Sequence, residues 1–401
     1  MIGTVSDLQE SASRLCGLSD FDSSDPGADD YAAGLAVLIE SYERDAGLTE
    51  GGAKAARAML RGALIARLLS EAGFAAHPDG EPVTRPVFVT GLPRTGTTFL
   101  HRLLVADPAS QGLEFWLAEA PQPRPERASW AENPAYQFIA AGLERHRATH
   151  PSFDAVHEIG ADQVEECWQL LRQSFRAVSY ECLAHLPAYS EWLVDQPWEP
   201  AYRRHKRNLQ LIGQLDGSRR WVLKNPSHLF ALDALMTVYP DALVIVTHRE
   251  PRVAMASMCS LAAQASAGWS SVFCDEVIGR DQLALWARGF SLFTTARSRY
   301  PAAQFADVAY QDLVADPLGV VGRVYEQFGL SLSGAAAGAM RELVPGPADR
   351  GPRPVHRYTL ADFGLTGEEI DERFPDGSFG FRGSSGAPGS PFSTPKPGST
   401  P

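Results

Sequence analysis

No stretch of this chain approaches the roughly 20 consecutive apolar residues of a membrane-spanning helix, although 44% of its 401 residues are hydrophobic. The apolar residues are dispersed and suffice for a sizeable buried core. Cysteine is scarce. Cys16, Cys167, Cys182, Cys259 and Cys274 are odd in number and lack metal-ligand spacing, which argues against a disulfide scaffold or a zinc site and predicts reduced thiols in a cytoplasmic protein. The start, MIGTVSDLQE, has neither the basic nor the apolar region of a secretory signal. Positive charge is also in short supply. Thirty-six basic residues face 48 acidic ones, for a net charge of −12, which argues against the broad basic footprint of general nucleic-acid binding. An anionic ligand must therefore be held by a local gathering of Arg and Lys.

What the sequence does have is GLPRTGTTFLHRLL, residues 91–104, around which the rest is organised. Just before it, PVFVT reads as a buried strand, and the spacing of Leu100, Leu103 and Leu104 puts them on one helical face. A strand, a glycine-bearing turn and a helix are the parts of a phosphate-cradling loop. Gly91 and Gly96 allow close backbone approach, and the helix N-terminus points free N–H groups at an anion. One residue is missing here too. The lysine that follows the second glycine in nucleoside triphosphate loops is replaced by Thr97 and Thr98, while the cation stands earlier, at Arg94. That arrangement suits a 5′-phosphate-type anion bound without a metal; an ordinary strand-to-helix turn without ligand is the plainer alternative.

The loop resembles that of the sulfotransferases using 3′-phosphoadenosine-5′-phosphosulfate (PAPS), in the bacterial-type branch with a Leu-Pro-Arg-Thr-Gly-Thr-Thr core. The resemblance implies that Arg94, Thr95, Gly96, Thr97 and Thr98 cradle the donor and that Phe99 stacks on its adenine. Further motifs follow in the family's order. In THREP, Arg249 closes a predicted strand and Ser257 stands eight residues on; the resemblance assigns both to the 3′-phosphate. In LKNPSHL, Lys224 is implied to stabilise the transferring sulfuryl group together with Arg94, and His228 to be the general base. Tyr310 in AYQDL is implied to lie near the adenine. Arg357 in VHRYTLADFGL is implied to add charge at the 3′-phosphate. There is one departure: many relatives carry a glutamate directly after the Trp of the second strand, where this chain has Leu117. Glu114 and Glu119, close by, stay open as alternative bases.

Along the chain, strands alternate with helices, which predicts an α/β fold: a P-loop-like parallel sheet of four or five strands flanked by helices. The expected strands are at 86–90, 112–116, 221–224, 242–248 and 304–310. Two helices at 31–44 and 53–73 form an N-terminal brace, and 133–215 reads as a helical insertion. Within it, DQVEECWQLLRQSF reads as one amphipathic helix through Val164, Cys167, Trp168, Leu171 and Phe175, and the run at 202–215 as another, basic at 203–207. Residues 1–28 are expected to be only partly ordered, 29–382 to form one domain, and the Gly/Ser/Pro/Thr tail at 383–401 to be disordered.

The reading that joins these features is a PAPS-dependent sulfotransferase acting on a hydroxyl or amine of a small or lipid-like acceptor. The aromatic residues of the insertion suit an apolar or bulky molecule. Two alternatives stay open: a phosphotransferase using a nucleoside triphosphate and magnesium, and a catalytically silent nucleotide-binding module.

Overall fold

Short apolar runs set up the sheet. In the computed structural model, which describes residues 1–22, 30–149, 159–215, 219–344 and 358–375, five strands form: β1 (Val87–Gly91), β2 (Ser110–Gln111), β3 (Arg220–Lys224), β4 (Leu243–His248) and β5 (Phe305–Ala309). They lie in the order β2-β3-β1-β4-β5, and every pairing is parallel. Because strand side chains alternate, β1 sends Phe88 to one face and Val87 and Val89 to the other. Each face is buried under its own apolar cluster. Such two-sided burial explains why the strands read as near-continuous apolar runs.

The brace contains Tyr31–Arg44, at the expected bounds, and Glu50–Ala76, which is longer at both ends than expected. A further helix, Val5–Cys16, lies in the segment expected to be partly ordered; its capping box at Thr4 and Asp7 starts it, and Leu8 and Ala12 bury it. Polar contacts fasten the brace to the insertion. Arg204 in the helix Glu199–Ile212 meets Glu71 at 2.7 Å, with both side chains buried, and Arg67 donates to the Gln173 carbonyl at 2.9 Å.

Two expected elements take another form. Residues 112–116 are not a strand: β2 is only two residues long, and Phe115–Glu119 is a short helix. The N–H groups of Phe115 and Trp116 go to the carbonyls of Gln163 and Ala161, so their partners lie in the insertion. The helix expected over 162–175 shrinks to Trp168–Arg172. Ahead of it, Val164 bridges Glu114, the Glu165 N–H donates to the Leu113 carbonyl at 2.8 Å, and the Cys167 N–H donates to the Lys224 carbonyl at 3.1 Å. Long-range backbone partners have overridden a local amphipathic pattern. After β3 the chain forms a 3-10 turn, Pro226–Phe230, and the helix Leu232–Val238. Among the described residues, no helix is long and apolar enough to cross a membrane. The tail at 383–401 and Arg357 lie outside the described residues.

Candidate active site

The loop after β1 is shaped by its backbone. Gly91 has φ 142°, and a Cβ there would stand 2.6 Å from the carbonyl oxygen of Thr247 on β4, so only glycine lets the chain leave the sheet here. Thr95 is fully buried; its Oγ1 donates to the Leu92 carbonyl at 2.6 Å and lies 2.5 Å from Thr247 Oγ1. Its side chain is thus an internal strut, leaving its backbone for any ligand. Arg94 adopts φ 69° and Gly96 φ 92°, which reverses the chain into the helix Thr97–Val105. No side chain caps that helix at Gly96, so the orphan amides of its first turn face the loop uncapped. Phe99 is partly buried against the apolar cluster under the loop.

Four elements deliver a cationic cluster beside this loop. Arg94 Nε donates to Ser257 Oγ at 3.0 Å, from the loop to the helix Pro251–Ala265. Tyr358, from the C-terminal segment, donates its hydroxyl to the same oxygen at 2.8 Å. Arg249 Nη1 donates to the Arg94 carbonyl at 2.8 Å, and its guanidinium lies 4.2 Å over the ring of Tyr310, a cation–π contact. Burial lowers the pKa of Arg94 and the like charge of Arg249 adds to this, opposed by Tyr358 and Tyr310. Among the described residues Arg94 has no carboxylate partner. Next to Arg249, His248 Nε2 lies 2.6 Å from Asp307 on β5, and Arg297 holds the same carboxylate. Burial would raise the Asp307 carboxyl, but hydrogen bonds from Arg297 and His248 outweigh it and hold the pKa well below the usual carboxylate range. This clamp fixes the end of β4 from which Arg249 leaves.

The expected catalytic residues do not all meet. Lys224, fully buried at the end of β3, reaches Thr98 Oγ1 at 3.3 Å and Glu166 Oε1 at 2.5 Å. His228 lies one turn on and is 1% exposed. Its Nδ1 is 2.7 Å from the Tyr202 hydroxyl, its ring packs against Phe88 and His205, and its Nε2 is buried without a hydrogen-bond partner among the described residues. Burial, then the nearby His205, pushes its pKa well below that of a free imidazole, so it stays neutral. Glu114 is paired with Arg124 at 3.0 Å. Glu119 ends the short helix Phe115–Glu119; burial raises its carboxyl pKa, against the pull of Arg172 and a hydrogen bond with Gln169.

Arg94, Arg249, Ser257 and Tyr310 therefore gather at one side of the loop, and Lys224 stands at Thr98. Glu166, Tyr358 and Thr247 complete the site without having been expected. Glu166 was hidden in a run that reads as a helix; the only trace was an acidic pair, Glu165-Glu166, inside an apolar stretch.

A sequence profile of the sulfotransferase family matches residues 86–334, the span that holds the loop, Lys224, Arg249, Ser257 and Tyr310. The chain belongs to the sulfotransferase family. Among solved structures of the family, sulfotransferase STF1 from Mycobacterium tuberculosis is 52% identical with a TM-score of 0.86, over 93% of this chain and 98% of that one. Sulfotransferase STF9 from Mycobacterium avium is 28% identical with a TM-score of 0.80, over 93% and 95% of the two chains. This family member is also 28% identical over 253 residues, 61% of its length, to the omega-hydroxy-beta-dihydromenaquinone-9 sulfotransferase Stf3 of Mycobacterium bovis and Mycobacterium tuberculosis. It spans 63% of the length of those curated relatives.

Proposed function

We propose that this family member moves a sulfuryl group from PAPS to a hydroxyl, or an amine, of a lipid-like acceptor. The observation that carries the reading is the placement of two cationic regions around one uncapped helix N-terminus. Arg249 stacks on Tyr310, whose ring stands 3.1 Å from where a Cβ on Gly96 would lie. Lys224 meets the same helix at Thr98. A nucleotide with anionic groups at both ends of its ribose matches this spacing of charge. Arg249, Ser257 and Arg94 would hold the 3′-phosphate, with Tyr358 completing the hydroxyl pair. The amides of Gly96, Thr97 and Thr98 would hold the 5′-phosphate. Bound PAPS supplies an activated sulfuryl group that transfers in line through a loose transition state resembling phosphoryl transfer. The protein's work is positioning and charge stabilisation, and Lys224 stands where developing charge on the sulfuryl oxygens needs it. A hydroxyl acceptor of lipid-like character is supported by the name of the curated relative, which specifies an omega-hydroxy-beta-dihydromenaquinone-9.

Calorimetry and mass spectrometry test the reading together. In EDTA the product nucleotide, 3′-phosphoadenosine-5′-phosphate (PAP), should bind one to one, and PAPS should convert an omega-hydroxylated isoprenoid quinone into its sulfate ester. Binding of magnesium–ATP with no binding of PAP overturns the reading in favour of phosphoryl transfer. Binding of PAP without sulfation of any hydroxylated or aminated acceptor leaves a silent nucleotide-binding module.

A further inference from the structure

We propose that Glu166 is the general base, taking the acceptor's proton, and that Lys224 holds it in waiting until the donor binds. The inference rests on the sulfuryl-transfer reading above. Its first support is position. The residues on either side of Glu166 are pinned by backbone hydrogen bonds, Glu165 N–H to the Leu113 carbonyl and Cys167 N–H to the Lys224 carbonyl. Glu166 is therefore fixed against the end of β3 by the chain itself. Its Oε1 lies 2.5 Å from Lys224 Nζ, which in turn lies 3.3 Å from Thr98 Oγ1. A sulfuryl group between Lys224 and the loop helix would bring its attacking acceptor within reach of this carboxylate. The neighbouring Glu165 is turned away, accepting the Glu166 N–H at 3.1 Å.

The second support is the state of the rivals. His228 has its Nδ1 committed to Tyr202 and its ring enclosed by Phe88 and His205. Glu114 is neutralised by Arg124. Glu119 is buried and interacts with Arg172 and Gln169.

The third support is electrostatic. Lys224 is fully buried, and a buried ammonium needs an anion beside it. Glu166 is that anion in the free protein. Once the lysine turns to the sulfuryl oxygens, the carboxylate loses its cation, and a carboxylate without its cation is a better proton acceptor. Donor binding thus prepares the base. In the step itself the acceptor oxygen forms a bond to sulfur. The bond from sulfur to the 5′-phosphate oxygen breaks, leaving its electron pair on that phosphate, and the acceptor's proton passes to Glu166, which later returns it to water.

The test runs the reaction backwards, where the base must act as an acid. PAP is supplied with either para-nitrophenyl sulfate or phenyl sulfate, and PAPS formation is followed. A nitrophenolate leaves readily without a proton, whereas a phenolate gains from one. Glu166→Gln should stay within about threefold of wild type with the nitrophenyl ester but fall at least about 100-fold with the phenyl ester. Lys224→Ala should be slow with both. By calorimetry, Glu166→Gln should bind PAPS at least as tightly as wild type, because the lysine is no longer held by a charge. Equal slowing with both esters, or PAPS affinity weakened about tenfold or more, would show that Glu166 only positions Lys224. Near-wild rates with both esters would show that it does neither. If the wild-type protein binds PAP but forms PAPS neither from these esters nor from the sulfate ester of an omega-hydroxylated isoprenoid quinone, the sulfuryl-transfer reading fails, and this assignment with it.

Discussion

Arg249 touches three parts of the site with one side chain: its Nη1 meets the loop carbonyl of Arg94, its plane covers Tyr310, and its backbone follows the clamped His248. Removing it takes away a charge and loosens the turn that sets the left-handed Arg94. A charge-assisted contact is worth roughly 1.5–3 kcal/mol, so Arg249→Ala should bind PAPS at least about tenfold more weakly. Calorimetric titration measures this directly, and unchanged affinity would remove Arg249 from the proposed donor site. Arg249→Lys should recover only part of the loss, since an ammonium cannot stack flat on Tyr310 or reproduce the guanidinium fork. Arg94 is the counterpart. Its positive φ turns its side chain towards Ser257, away from the pairing with Lys224 that motif order suggests.

The helices of the brace depend on the insertion for more than apolar cover. Arg204 and Glu71 form a buried pair between the helices Glu199–Ile212 and Glu50–Ala76, and Gln173 and Asn208 complete the polar seam. Breaking such a pair from one side leaves an uncompensated buried charge. Glu71→Ala should therefore cost about 3–5 kcal/mol of stability, read as a lower urea midpoint, with PAP affinity retained below the transition. A change within about 0.5 kcal/mol, the scale of an ordinary surface substitution, would show that water or a neighbouring group already serves Arg204. At this scale much of the fold was legible in sequence. Four of the five parallel strands, the loop helix and the two brace helices follow from apolar period, β-branching and caps, which are local properties. What was not legible has a common cause. Residues 161–167 carry a helical pattern, yet their backbone groups pair with Leu113, Glu114, Phe115, Trp116 and Lys224, far away in sequence. That pairing puts Glu166 beside Lys224, so the acidic residue at the site could not be placed before the sheet edge was known. Lys224, Arg249 and Tyr310 could be named because each closes or directly follows a strand, and Ser257 because it stands eight residues beyond Arg249 in the next helix. Tyr358 could not, because it reaches Ser257 from across the chain.

Taken as a whole, the molecule buries several histidines in neutral form. Burial, then Lys224, holds the pKa of His101 to about 3; burial alone takes His205 to about 3; His228 is also pushed well below its usual value. In the unfolded chain each would titrate near about 6.5. Above that pH both states are neutral at these positions and they add no pH dependence. Below it the unfolded chain binds protons that the folded one refuses, so stability falls as pH falls, by up to about 1.4 kcal/mol per pH unit for each histidine. Urea midpoints should drop between about pH 7.5 and pH 5, and His205→Gln should flatten the slope. A midpoint that rises over that interval would contradict the neutral burial. The order of the strands has a consequence of another kind, during synthesis. β1 lies between β3 and β4, with Val87 opposite Val222 and Leu243, so one of its edges lacks a partner until about 130 more residues have left the ribosome and the other until about 150. At about 5–20 residues per second these waits last roughly 7 to 30 seconds. An apolar strand open on two sides is a template for pairing with another nascent chain. Arg85-Pro86 on one flank and Pro93-Arg94 on the other place charge and proline where they interrupt such pairing. The residues that bend the chain into the candidate site therefore also guard the strand before the site exists.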